Sequence, residues 1–211
     1  MYRRFGKRLL DLAISIPALI LLAPVLASTA LLVRFKLGPP ILFQQERPGL
    51  NGRPFTMLKF RTLTNARDAK GGFLPDDQRL NPTGTLLRRT SLDELPELLN
   101  VIKGEMSLVG PRPLLVEYLD HYGPEHARRH EVTPGITGWA QVNGRQRINF
   151  SKRLDFDVWY VDHLSFGLDL TIMALTIVGV LARDGVISDQ DVREVDDIGL
   201  SSGAHAEVQR K

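Results

Sequence analysis

Residues 12–33 run for 22 positions without a charge, interrupted only by Pro17 and Pro24. A helix of that length rises about 33 Å at roughly 1.5 Å per residue, enough to cross a hydrocarbon core of about 30 Å. Arg3, Arg4, Lys7 and Arg8 precede the run, and Arg34 and Lys36 follow it. Short cationic flanks favour the cytoplasmic side, so neither end favours crossing. Pro24 lacks a backbone donor and clashes with the carbonyl four residues back, which allows a bend and a return to the side of entry. A re-entrant helix hairpin, a straight span and a cleaved leader are therefore the three readings. Asp11, the two prolines and the apolar character beyond Ala30 weigh against the leader, whose small residues would be Ala27, Ser28 and Ala30.

Downstream the pattern shortens. Residues 41–44 and 55–60 read as two short strands around a turn at 48–52, a small hairpin. Residues 62–83 are polar, with Gly71, Gly72, Pro75 and Pro82, and read as a long surface loop. Leu92, Leu95, Leu98, Leu99 and Ile102 are spaced to share one helix face, and Gly104 closes that helix. Residues 106–109 read as a strand ended by Gly110-Pro111-Arg112-Pro113, with a helix after it to about Tyr122. Residues 133–138 read as a turn, and Asn143-Gly144 after 139–142 as a hairpin signal. Ser151 is placed to cap a helix through Trp159 and Tyr160, a pair suited to core packing or an interfacial anchor. Residues 170–182 hold 13 uncharged positions, too few for a comfortable span but enough for a core helix or an amphipathic helix in the lipid interface.

The fold expected is α/β in the loose, α+β sense: several helices with small strand pairs. A doubly wound sheet is excluded by the lack of βαβ alternation and of a Gly-rich phosphate loop. Residues 1–36 form the membrane-associated segment, 37–187 a catalytic domain and 188–211 a mobile tail. The net charge of +3 suits anionic lipid or phosphate ligands without demanding nucleic acid. With no cysteine, disulfides and thiolate metal sites are excluded.

Chemistry concentrates at Ser91-Leu92-Asp93-Glu94-Leu95-Pro96. One reading is structural: Ser91 with Glu94 three residues on is a capping box, and acids favour a helix N-terminus. The same environment would lower the pKa of Asp93 and keep it ionised, as a nucleophile or metal ligand. Lys59, Arg61, Arg88, Arg89 and Arg112 flank this pair in sequence. Arg112 is held between two prolines and offers a planar fork of donors to phosphate oxygens. Two acids among several cations suit phosphoryl chemistry, the acids holding Mg²⁺ and the cations neutralising the transferred group. His121, His126 and His130 lie among Arg128 and Arg129 and read as a solvated helix face, not a metal cluster.

These residues, taken in order, resemble a bacterial sugar transferase of the small monotopic phosphoglycosyl transferase kind. The resemblance rests on Lys7-Arg8 with Asp11, residues 43–49, Lys59-Phe60-Arg61-Thr62 and residues 91–96, then GEMSLVGPRP at 104–113, PGITG at 134–138 and QVNGR at 141–145. It implies transfer of a sugar phosphate from a nucleotide sugar to a polyprenol phosphate of the membrane, with release of the nucleoside monophosphate. By that likeness Asp93 attacks the phosphorus bearing the sugar and forms an aspartyl phosphosugar intermediate, in a ping-pong sequence. Glu94 helps to hold Mg²⁺. Lys59, Arg88, Arg112 and Arg145 are substrate-binding, and Gln141 and Asn143 match the motif without a role. The resemblance also implies a re-entrant helix bent at Pro24, with Ala23 where many relatives carry serine. It implies a UDP-linked donor of N-acetylated or bacillosamine type, and a place on the cytoplasmic face of a bacterial inner membrane. Two readings from other classes compete with it. One is a membrane-bound scaffold or lipid-binding module in which Asp93 and Glu94 only cap a helix. The other is a hydrolase acting through the same carboxylates.

Overall fold

The structure, a computed structural model, describes residues 2–144, 148–181 and 196–198. After a π-helical turn at Tyr2–Gly6 come two helices, α1 (Lys7–Leu21) and α2 (Ala23–Lys36). The hairpin strands β1 (Leu42–Pro48) and β2 (Pro54–Phe60) follow, then α3 (Asp76–Arg79), α4 (Pro82–Thr90) and α5 (Glu97–Lys103). Next are β3 (Ser107–Val109), α6 (Pro124–Ala127), β4 (Gly135–Thr137) and α7 (Trp139–Val142). Two longer helices, α8 (Phe150–His163) and α9 (Phe166–Leu181), complete the described elements. The fold is mostly helical with two small strand pairs, as expected.

No single helix among the described residues is long and apolar enough to cross a membrane, but α1 and α2 together are, and they bend by 62° at Leu22. Pro24 lies in the first turn of α2, where its missing donor would have had no partner in any case. Pro17 is accommodated inside α1. Much of the apolar surface of both helices faces outward, Leu21 at 77% and Phe35 at 80% exposure being the extremes. The inner side of α2 packs Val33, with Leu37 just beyond its end, against Phe60 and Leu87.

Lys7, Arg8 and Asp11 do more than flank an apolar run. Lys7 Nζ is buried 2.7 Å from Asp169 Oδ2 in α9, an oxygen that also accepts the Tyr2 hydroxyl at 2.6 Å. Tyr160 closes the knot, donating to Asp169 Oδ1 at 2.7 Å. Arg8 donates to the carbonyls of Val101 at 2.5 Å and Ile102 at 2.6 Å at the end of α5, the former of which also accepts from Gly104 N at 3.0 Å. Asp11 accepts from Ser107 Oγ and Leu108 N, both at 2.9 Å. One helical turn thus ties α1 to three separate elements.

The hairpin forms where the sequence places it, in the register Leu42↔Phe60 through Pro48↔Pro54. The other pair departs from expectation. Residues 133–138 contain β4, which runs parallel to β3 with Ser107↔Gly135 and Val109↔Thr137, and 139–142 are helical, so the hairpin expected at Asn143-Gly144 is absent. A parallel partner comes from a distant segment and leaves no local signature. Backbones meet closely here: a Cβ on Gly135 would stand 2.1 Å from Gly110 N and 2.4 Å from Thr137 O. Gly135→Ala is therefore expected to cost about 3 kcal/mol or more, because only backbone could move aside. Urea denaturation of the purified variant measures it, and an unchanged midpoint would contradict the packing.

Candidate active site

The two acids stand at a junction between helices, not at a helix start. Asn81 caps α4, its Oδ1 accepting from Gly84 N at 2.9 Å, and Pro82 occupies the first helical position. The helix ends at Ser91, which adopts left-handed geometry (φ 54°), and a 3₁₀ turn at Leu92–Glu94 leads through Pro96 into α5. The expected capping box is not formed. Ser91 makes no side-chain cap, and the Glu94 carboxylate turns away toward two cations. The face of α5 is corrected too: Glu97, Leu98, Asn100 and Val101 are buried while Leu99 is exposed. Gly104 does close that helix, at φ +89°.

Asn100 fixes α5 against β2. Its Oδ1 accepts from Leu58 N at 3.1 Å, and its Nδ2 donates to Thr56 O and Glu105 Oε2, both at 2.7 Å. With Met57, Val101 and Met106 packed beside it, this contact sets Lys59 opposite the acid turn. Lys59 Nζ lies 2.7 Å from Glu94 Oε1 and 3.1 Å from Glu97 Oε1. Arg112 Nη2 donates to the same Glu94 oxygen from the other side, and Nη1 lies 3.4 Å from Ile136 O. Arg112 is held from behind by Arg129, fully buried, which donates to the Arg112 carbonyl at 2.6 Å and pairs with Asp157 at 2.7 Å.

Electrostatics separates the two adjacent acids. Burial pushes the Glu94 carboxyl up, but Arg112 and Lys59 outweigh it and hold the group at about 2. For Asp93, burial and then the Glu94 charge win over Lys59 and Arg112, and its pKa rises to about 6. The expectation of a lowered Asp93 pKa is thus reversed, because no helix N-terminus faces it and desolvation dominates. Asp93 has no ion pair or side-chain hydrogen-bond partner among the described residues, whereas one carboxylate oxygen of its neighbour Glu94 accepts from both Lys59 and Arg112. Pairs of carboxyls driven apart in this way are a mark of divided chemical roles.

Lys59 and Arg112 stand at the acid pair, as the sequence suggests. Arg88 does not meet it; its Nε donates to Thr62 Oγ1 at 3.0 Å and the side chain is otherwise exposed. Arg61 is a structural clamp, donating to the Leu37, Gly38 and Pro39 carbonyls and to Asn65. Arg145 lies outside the described residues, as does most of the tail expected at 188–211. Asn143 Nδ2 donates to Trp139 O at 2.9 Å, while the Gln141 carboxamide is buried without a partner among the described residues. The solvated face expected at the histidines is corrected: His121 is exposed, but His126 and His130 are half-buried, Arg129 is buried, and burial takes His130 down to about 4. Ser151 does not cap α8, which starts after Asn149; its amide and hydroxyl bond Asp197 instead. Trp159 stacks between Trp139 and His163, and Tyr160 is core. Glu97, Asn100, Arg129 and Asp157 carry the site's framework and were not singled out from sequence. A charged residue at a helix position spaced for burial, as Glu97 is beside Leu98, is the one local hint.

Beside the acid turn lies a mostly apolar cleft of about 350 Å³, lined by Pro24, Val25, Ser28, Thr29 and Leu32 of α2 and by Leu92. Ser28 Oγ donates to Pro24 O at 2.7 Å, one turn back within α2.

An acid pair set among cations beside a bent apolar helix pair defines a class, and the comparison of sequences agrees: the chain belongs to the bacterial sugar transferase family, whose model matches residues 2–183. It is 56% identical over 180 residues to a sugar transferase of Bacillus subtilis, EpsL, covering 85% of this chain and 89% of that one. Enzymes named UDP-glucose:undecaprenyl-phosphate glucose-1-phosphate transferase are also similar. The one from Xanthomonas campestris is 40% identical over 84% of this chain, and the one from Escherichia coli 39% over 82%. The chain spans only 39% and 40% of the length of those two proteins.

Proposed function

We propose that this chain moves a sugar 1-phosphate from a UDP-linked sugar to a polyprenol phosphate, releasing UMP, through a covalent intermediate on Asp93. The observation that carries the reading is Asp93 itself: unpaired, half-buried and flanked by an engaged glutamate and two cations. Its carboxylate would attack the phosphorus bearing the sugar. Lys59 and Arg112 would neutralise charge gathering on that phosphorus, and Glu94 holds both cations at the turn. The lipid phosphate would then displace the sugar phosphate from Asp93. The names of the Xanthomonas and Escherichia relatives support both substrate classes.

Mg²⁺ suits the hard oxygens of Asp93 and Glu94. No group of three acids or histidines able to hold an ion occurs among the described residues, and one Glu94 oxygen already receives two cations. The donor set therefore fits an ion that keeps waters and shares the donor's phosphates, the usual habit of Mg²⁺. When bound, it would act as a Lewis acid toward those phosphates.

The outward apolar surface of α1 and α2, with the exposed Phe166, Leu170, Ile177 and Val178 of α9, supports a one-sided membrane seat, the bent pair re-entering and α9 lying in the interface. The cationic flanks support the cytoplasmic leaflet of a bacterial inner membrane. The cleft at Leu92 would accept the first isoprene units of the acceptor. A reading in which the acids merely cap a helix loses its basis once Ser91 makes no cap.

The test is release of nucleoside monophosphate from a panel of UDP-glucose, UDP-galactose and N-acetylated UDP-sugars by the purified chain with Mg²⁺ and polyprenol phosphate. A lipid-linked sugar diphosphate is expected as the other product; free sugar or sugar phosphate formed without the lipid would mean a hydrolase. A pH dependence follows. Asp93 attacks only when ionised, so kcat/KM for the donor should be level above about pH 6 and fall about tenfold per unit below it. A profile still flat at pH 5 would exclude Asp93 as the attacking group.

A further inference from the structure

Among the described residues, Arg129 and Arg61 are buried arginines with partners suited to their charge, and the half-buried Arg47 is less well served. Arg129 has Asp157, and Arg61 has a ring of carbonyl oxygens. Arg47, on β1, forms no ion pair among the described residues. Its Nη2 donates to Gln45 Oε1 at 2.7 Å, and its Nε, like that of Arg61, is buried with no acceptor among the described residues. Burial and then the charge of Arg112 press its pKa down; Glu117, Tyr118 and Glu97 are near enough to offset this only in part. A desolvated cation without a counter-ion is costly, and an anionic ligand is one means of meeting that cost.

The hairpin register says where such an anion would lie. Phe43↔Lys59, Gln45↔Met57 and Arg47↔Phe55 are successive pairs on one face, since residues two apart along a strand point the same way. Lys59 and Arg47 therefore lie on the same face of the hairpin, about 13 Å apart along the strand at ~3.3 Å per residue, with the buried Met57 between them. Lys59 marks the end at the acid turn. Arg112, with one side of its guanidinium on Glu94, is near enough for its charge to reach Arg47 as well. Arg153 of α8, its guanidinium 5.0 Å from the Phe150 ring centre, adds a further positive charge that also feels Arg112. The cations thus continue from the acid pair along this face of the hairpin to Arg47, farther from Asp93 than the phosphate it would attack needs them.

We propose that Arg47, together with Arg112, receives the phosphate that stays with the nucleoside. The inference rests on the transferase reading above. In the first half-reaction a bond forms between an Asp93 carboxylate oxygen and the phosphorus bearing the sugar. The bond from that phosphorus to the bridging oxygen breaks, and its electron pair stays on that oxygen, which departs as part of the nucleoside monophosphate. The charge so created falls on the phosphate held by Arg47 and Arg112. Arg47 is thus a donor-side group, and the lipid phosphate of the second half-reaction does not use it.

The test compares Arg47→Gln and Arg47→Lys with the unaltered full-length chain in detergent or nanodiscs. Arg47→Gln should lower kcat/KM for the UDP-sugar about tenfold or more, the scale of a lost charge-assisted hydrogen bond, and raise the inhibition constant of UMP by a similar factor. kcat/KM for polyprenol phosphate should stay within about twofold, and Arg47→Lys should recover part of the donor loss. The melting temperature of Arg47→Gln should not fall, which separates a ligand contact from a framework role. Unchanged donor and UMP constants would overturn the proposal, and a loss confined to the lipid acceptor would assign Arg47 to the other phosphate and overturn it equally. Direct UMP binding by calorimetry keeps this inference distinct from the transferase reading. UMP bound by the unaltered chain and lost in Arg47→Gln upholds the site even if no UDP-sugar is turned over; no UMP bound by the unaltered chain defeats it.

Discussion

Asp93→Asn should release nucleoside monophosphate at least about 10³-fold more slowly than the unaltered chain, because an amide cannot form the acyl phosphate linkage. The same substitution should stabilise the protein at pH 8. The folded Asp93 titrates at about 6, above its ordinary 3.8, so the fold binds that proton more tightly than the unfolded chain does, and ionising it above pH 6 costs stability. A neutral amide removes that cost, worth roughly 1–2 kcal/mol at a half-buried site. Activity and stability therefore move in opposite directions, a signature that a helix-capping aspartate would not give: loss of a cap costs stability and spares turnover. Trapping the donor-loaded enzyme and mapping the adduct by mass spectrometry completes the test, with Asp93 as the expected site.

Asp157→Ala should be the most damaging framework change, costing about 3–5 kcal/mol in chemical denaturation. The side chains of Arg129 and Asp157 are 1% and 2% exposed, so removing the carboxylate leaves a guanidinium in the core with only Tyr122 Oη and the Arg112 carbonyl to accept from it. Replacing both residues together, Arg129→Met with Asp157→Leu, should recover much of the stability, since a buried ion pair contributes little net energy over apolar packing. Turnover should not recover with it, because the Arg112 carbonyl loses its tether. If the double variant regained both, Arg129 would serve only to balance Asp157.

What the sequence made legible was what is local. A hairpin, an αL glycine after α5 and a long apolar run each announce themselves within a few residues, although β1 runs to Pro48, four residues beyond the strand expected at 41–44. So did the candidates Asp93, Glu94, Lys59 and Arg112, which converge as charge pattern suggested. Helix α4 escaped notice although Asn81-Pro82 is a proper start, because Gly84 and three threonines dilute its apolar face. Ser91 misled for a related reason: its spacing to Glu94 is that of a capping box, but Ser91 already terminates α4 in left-handed geometry, which no pattern of residue types reveals. Arg88 sits near the acids in sequence and turns to Thr62 in space. Glu97, Asn100, Arg129 with Asp157 and Lys7 with Asp169 are pairings across dozens of residues, and nothing in either partner's neighbourhood names the other.

The tie between Lys7, Tyr2, Tyr160 and Asp169 has a practical corollary. Asp169 is wholly shielded from solvent and takes two of its three donors from residues 2–7, so a truncation that discards the leading segment would strand an anion in the interior. Trimming the greasy start, the customary remedy for poor solubility, should here yield aggregates, and grafting an unrelated tether should fail alike. What looks like a detachable foot is a keystone.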